Sequence, residues 1–359
     1  MRALDRPGIH LEPVDDRSAA VDALAARMGG RVGIAGVLAA LGRRARPSRA
    51  GRLLGRAVTE AYSWDAADSR DPRWWPQGIS GSADASATEE VAGRRLLVTT
   101  SYAKDLGRGS HGCRLTVVDL ATLRYEHVLL VVPGLDEEGA PTLEPVRVHA
   151  GGLAWLGPHL HLAATGRGLL TAGADDVLAV TDPGPSDRLR IDDDRSTAYG
   201  HRFVLPVRRT LRAGQDDGHA PMRYSFLGLD RSEAEPALVA GEYARGGGSR
   251  RLVRYAVDPE TSLPRLGSDG LARPVAWWEG VPQMQGVVVR GGEHLVTVSK
   301  GRFLPGTVYA GPPDALRARR LAVPMGPEDL TYWPSTDRVW SLTEHPRRRW
   351  FFSMRRDWF

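Results

Sequence analysis

Glu328 and Asp329, adjacent carboxylates at the head of a short apolar run, are the residues of this sequence best suited by type and spacing to chemistry. Two acids at one opening could hold a hard divalent cation such as calcium, or pass a proton where one of them is kept neutral. His149, ahead of a Gly-Gly pair, is the imidazole that could join them as a ligand or an acid–base group. Gln77 and Gln285 each stand before a glycine at the start of another apolar run, and Glu242 and Glu344 each close one. Lys104 and Lys300, the only lysines, lie just past two such runs, and Arg167 holds a similar place. Glu328, Asp329 and His149 are therefore the candidate reactive groups. Gln77, Gln285, Glu242, Lys300, Glu344, Lys104 and Arg167 are the candidate ligand contacts. Each also has a structural reading. Recurrent glutamines can clasp neighbouring backbones, His149 can be a satisfied channel histidine, and Glu242 and Glu344 can pair with Arg245 and Arg347.

Other chemistry is poorly supported. His159 and His161 share a strand face without a third donor, so they make a weak zinc site. Asp192-Asp193-Asp194 has the charge of a calcium loop but not its spacing, and reads as a solvated loop. The run Gly78-Ile79-Ser80-Gly81-Ser82 lacks the last glycine of a nucleophile elbow, and Gly246-Gly247-Gly248 is a turn rather than a phosphate cradle. The single cysteine, Cys113, opens an apolar strand and reads as buried. Arg347-Arg348-Arg349 with Trp350, Arg355 and Trp358 reads as a solvated edge, with an anionic partner as the other reading.

Charge sorts the partners. The chain has 359 residues and a net charge of +5, and residues 1–60 carry all of that excess in 11 Arg against 6 acids. The remainder balances, which argues against a nucleic-acid-binding face on the folded body. No apolar run reaches the roughly 18–20 residues of a membrane span. Val32–Leu41 is too short and too far from the start for a clear export signal. The expectation is a soluble monomer, cytoplasmic by that criterion, with an extracellular location as the alternative.

The elements that must position these groups are short strands. In residues 1–60 the spacing suggests helices from Ser18 to Met28, over Val32–Leu41 and over Arg52–Ala61. From residue 61 onward the helical period vanishes and short apolar runs alternate with turn clusters. Five openings repeat a polar residue beside glycine or an acid: Gln77-Gly78, His149-Ala150-Gly151-Gly152, Ser225 to Gly228, Gln285-Gly286 and Glu328-Asp329. Each is followed by a turn and a second strand. This pattern defines an all-β fold, a β-propeller of five blades over residues 61–359, behind a basic, partly helical N-terminal extension. The alternatives are six blades, with 180–210 forming its own, or paired β-sandwiches. A strand near Ala61–Trp64 is the candidate to close the ring.

The landmarks Pro76-Gln77-Gly78, His149-Ala150-Gly151-Gly152, Ser225–Arg231, Gly241-Glu242-Tyr243, Gln285-Gly286, Gly326–Trp333 and Val339–Glu344 resemble those of an uncharacterised family of bacterial propeller proteins. The resemblance covers about residues 74–353. It implies the fold and, since members are often exported, an outside location; it brings no activity.

Propeller geometry would gather the tips of the inner strands at one mouth. Two functions follow: a binding propeller holding a small molecule, carbohydrate or protein segment, or a metal-assisted, lactonase-like hydrolase with its carboxylates around a divalent cation. Nucleic-acid binding by the arginine-rich extension is a third and weaker reading.

Overall fold

A computed structural model of the chain describes residues 8–107, 109–192 and 195–359. Its strands pair as up-and-down antiparallel meanders. The first runs Trp74–Gly81, Leu96–Ala103, Cys113–Asp119 and Arg124–Leu135. The second runs Leu153–Leu156, His159–Ala163, Leu169–Gly173 and Phe203–Gln215. The third is Phe226–Asp230, Ala237–Gly241, Arg251–Ala256 and Ala276–Glu279. The fourth is Met284–Arg290, Glu293–Val298, Gly306–Gly311 and Arg317–Val323. The fifth, Pro327–Trp333, Arg338–Thr343 and Trp350–Arg355, is completed by Val58–Ser63 from the other end of the chain.

Alternation along each strand supplies the packing. In Leu96–Ala103, Leu96 and Val98 point to the cluster shared with the second meander, while Leu97 points to the cluster shared with the fifth. The same rule fills the gap between every successive pair, ending with Ile79 and Leu97 against Trp333 and Phe351. The first strands of successive meanders lie side by side, and the fifth lies against the first. This is a β-propeller.

The glycines of the openings are set by that ring. A Cβ on Gly286 would sit 2.4 Å from Asp329 Cα, and one on Gly152 would sit 2.0 Å from Leu227 N. No side chain fits at either place. Across the last junction, Ile79 N donates to Asp329 Oδ2 at 3.2 Å.

The N-terminal segment is docked on the body. Helix Ser18–Arg27 buries Val21 and Leu24, and Gly33–Leu38 buries Ile34 and Val37 between the first two meanders. Two expectations need correction. Arg52–Ala61 is not a helix; a short helix at Arg49–Leu53 gives way to the closing strand Val58–Ser63. That strand crosses the boundary drawn at residue 60. Ile9–Asp16, unassigned in sequence, is a strand whose Ile9 and Leu11 are buried where it pairs with the long strand Phe203–Gln215. Among the described residues, segment 180–210 forms no meander of its own. It carries one two-stranded hairpin, Leu189–Ile191 with Ser196–Ala198, before the strand that completes the second meander. Among the described residues no helix is long and apolar enough to cross a membrane.

Candidate functional site

Three inner strands lose register at the same level, each at its polar opening. The breaks fall between Pro76 and Ile79, between Met284 and Gly286, and between Pro327 and Leu330. Gln77, Gln285 and Glu328 occupy them. A bulge turns a side chain away from the pleat, and here all three turn into one mouth. Threonines of the second strands take up the backbone groups set free: Gly78 N donates to Thr100 Oγ1 at 2.7 Å, and Thr297 Oγ1 donates to Glu328 O at 2.6 Å.

The mouth is a cavity of about 530 Å³ lined by Gln77, His149, Arg167, Gln285, Glu328 and Glu344. Six sequence candidates thus share one space. Gln285 Nε2 donates to Glu328 Oε1 at 3.0 Å, and Gln77 Nε2 donates to Glu344 Oε2 at 3.4 Å. Each acid is therefore held by an amide from a neighbouring meander. Burial, reinforced by the charges of Glu344 and Asp329, lifts Glu328 well above the usual carboxylate range. Burial also raises Glu344, to about 6, with Lys104 and Gln77 opposing the shift. Glu328 is thus biased towards its protonated form, and Glu344, near 6, is poised to exchange a proton.

Lys104 stands beside this pair. Its Nζ lies 3.2 Å from the centroid of the Trp75 ring, and burial lowers its pKa. His149 sits at the rim with its ring 4.4 Å from that of Tyr102. Desolvation, then the charges of Lys104 and Arg223, hold its imidazole below the ordinary value, so it is neutral and able to accept a proton. Tyr102 is pushed up to about 12 by burial and then by Glu344 and Glu328. Sequence reasoning missed Thr165, Arg223, Ser225 and Tyr243 on the cavity wall, and Tyr102 behind it against His149. Tyr102 lies just past its strand run, as Lys104 does, and Arg223 precedes an opening by two residues; both signals were present.

Three candidates lie elsewhere. Asp329 does not share the mouth with Glu328: it is fully buried on the ring, where Oδ2 accepts from Leu153 N at 3.0 Å and from Ile79 N. Its carboxyl joins the fifth, first and second meanders, and burial raises its pKa well above the usual range. Glu242 is buried outside the cavity and pairs with Arg251 at 2.9 Å, not with Arg245. Its Oε1 also accepts from Arg223 N at 3.1 Å. Lys300 is exposed and is not on the cavity wall. Glu344 faces Gln77 and His345 rather than Arg347.

The remaining motifs are structural in placement. Both ring nitrogens of His161 are engaged, Nδ1 with Thr171 Oγ1 at 3.0 Å and Nε2 with Ser262 O at 2.9 Å. Cys113 is buried against Val148 O, and its thiol is pushed up to about 12. Arg349 is not a solvated edge: it is 1% exposed and donates to the carbonyls of Glu344, Asp68 and Asp71. Asp193 and Asp194 of the triple-aspartate motif lie outside the described residues. Among the described residues no three His, Cys, Asp or Glu side chains converge to hold a metal ion. Asp329 and Glu242 are engaged away from Glu328, Asp329 with Leu153 N and Glu242 with Arg251.

No protein family and no curated protein matches the chain by sequence. Among solved structures it is similar to a gluconolactonase from Xanthomonas campestris, at 13% identity over 99% of this chain and 89% of that one, with a TM-score of 0.38. It is similar to Myxococcus xanthus glutaminyl cyclase, at 13% identity over 87% and 97%, with a TM-score of 0.37. A GH43_1 enzyme from Xanthomonas citri matches at 10% identity over 94% and 92%, with a TM-score of 0.38.

Proposed function

We propose that the mouth cavity binds a small, hydroxyl-rich molecule of carbohydrate type. The observation that carries this reading is the pair of amide-held acids on the cavity wall, Glu328 with Gln285 and Glu344 with Gln77. A neutral carboxyl and a primary amide each offer one donor and one acceptor side by side, which matches vicinal hydroxyls. A cavity of about 530 Å³ takes a ligand of one or two sugar rings. Calorimetric titration with monosaccharides and disaccharides tests it. Binding by wild type that is lost in Glu328→Ala, with folding intact by circular dichroism, supports the reading. Unchanged binding in that variant removes it.

A second reading has its own support. Glu344, at about 6, can move a proton near neutral pH beside Glu328, whose carboxyl burial biases towards the protonated form, and this suits hydrolysis of a lactone, ester or glycoside by acid–base catalysis. In this reading Glu328 donates to the leaving oxygen, and Glu344 or His149 takes the proton from water. A substrate panel run with wild type and Glu344→Gln separates the readings: turnover lost with ligand binding kept marks an enzyme, and no turnover by wild type leaves a binding protein.

A further inference from the structure

We infer that Arg167 and Arg223 form a clamp for an anionic group on the ligand, so that the preferred ligand is a sugar-sized polyol bearing a carboxylate or a phosphate. This rests on the reading of the cavity as a site for hydroxyl-rich molecules and adds the charge that the ligand carries.

Both arginines lie on the cavity wall, and both are exposed. Their loops are tied together by an isolated antiparallel bridge. Thr165 N donates to Tyr224 O at 2.9 Å, and Tyr224 N donates to Thr165 O at 3.1 Å. Thr165 holds this bridge with a left-handed backbone, φ 54°, which costs a non-glycine residue on the order of 1 kcal/mol. Its hydroxyl is buried without a partner. The second loop is fixed from behind, because Arg223 N donates to Glu242 and Glu242 is itself locked by Arg251 and Ser249. Glu242, the nearby acid, is thereby taken up by the Arg223 backbone, Ser249 and Arg251 rather than by the Arg223 guanidinium.

Among the described residues neither guanidinium makes a hydrogen bond or an ion pair. Elsewhere the chain pairs its arginines freely, as with Arg208 on Asp176 and Arg254 on Asp230. Two unneutralised forks on braced loops, sharing one cavity wall with the amide-held acids Glu328 and Glu344, match a ligand with hydroxyls at one end and an oxyanion at the other.

Calorimetry with D-glucose, D-glucuronate and D-glucose 6-phosphate tests the clamp on the full chain. At low salt one or both anions should bind about tenfold or more tightly than glucose, and the preference should shrink as salt is added. Arg167→Gln/Arg223→Gln, checked for folding by circular dichroism, should lose the preference, its affinities for the two anions falling to within about threefold of its own affinity for glucose. Equal binding of all three by wild type overturns the clamp and leaves the cavity reading intact, as does a preference that survives in the double variant. Binding of none of the three overturns both.

Discussion

The side-chain amide of Gln285 donates to Oε1 of Glu328 at 3.0 Å, across the junction between the fourth and fifth meanders. Gln77 does the same for Glu344 across the junction between the fifth and the first. The recurrence places two acids of raised pKa side by side at the propeller mouth, each positioned by a residue on another sheet. The following expectations depend on that arrangement and on the ring beneath it.

Glu344 ties stability to pH. Its folded pKa, about 6, exceeds its ordinary value of 4.5, so its contribution is complete below pH 4.5 and is lost as pH rises through 6. Glu344→Gln removes that loss. Between pH 4.5 and 7.5 the variant should gain up to about 2 kcal/mol relative to wild type, from 1.36 kcal/mol per pKa unit. Urea unfolding at the two pH values measures it, and parallel pH dependence in the two proteins contradicts it.

Asp329 should behave as a clasp. Asp329→Asn keeps a neutral acceptor for Ile79 N and Leu153 N and should cost less than about 1 kcal/mol, whereas Asp329→Ala strands two buried donors and should cost roughly 2–4 kcal/mol. Denaturant midpoints of the two variants check the ordering. Equal losses would mean that the two amides do not need the carboxyl.

Close approach at the ring gives a steric expectation. Gly286→Ala places a methyl 2.4 Å from the backbone of Asp329 and should lower stability by about 3 kcal/mol or prevent folding. Gly247→Ala, where nothing lies within 4 Å, is the matched control and should fall within about 0.5 kcal/mol of wild type. Thermal melts of the pair decide it.

Closure by the strand Val58–Ser63 can be tested by cutting it away. A chain beginning at residue 66 loses the outer strand of the fifth meander, with Ala61 and Trp64, and also the docked segment that buries Leu11, Leu24 and Val37, so recovery by the strand alone is the decisive reading. It should melt at least about 4 °C lower, which is what a loss of roughly 2–3 kcal/mol does to a chain of this size. A synthetic peptide spanning 56–65 should recover part of that. An unchanged melting temperature would show that the ring holds without this strand.

The openings were readable because the ring needs glycine where backbones touch, and a polar residue stands beside glycine at Gln77 and Gln285 and, with Ala150 between, before it at His149. The split between Glu328 and Asp329 was not readable. Neighbours in a regular strand face opposite ways, but which of the two enters the mouth depends on a bulge between Pro327 and Leu330 that leaves no residue signature. Glu242 was misplaced for a related reason: its partner Arg251 sits on the adjacent strand, whereas sequence suggested the nearer Arg245. The strand Ile9–Asp16 was missed because only Ile9 and Leu11 are buried, and its acidic second half hides the alternation.

The charge state of the mouth can be read directly. Carbon-13 NMR of protein labelled at the glutamate side-chain carboxyls, followed from pH 3 to 9 and assigned with Glu344→Gln and Glu328→Gln, reports each titration. The Glu344 signal should move with a midpoint near 6, and the Glu328 signal should titrate well above the ordinary range. Midpoints of both at about 4–5, like those of surface glutamates, would contradict the paired acids on which the proposed site is built.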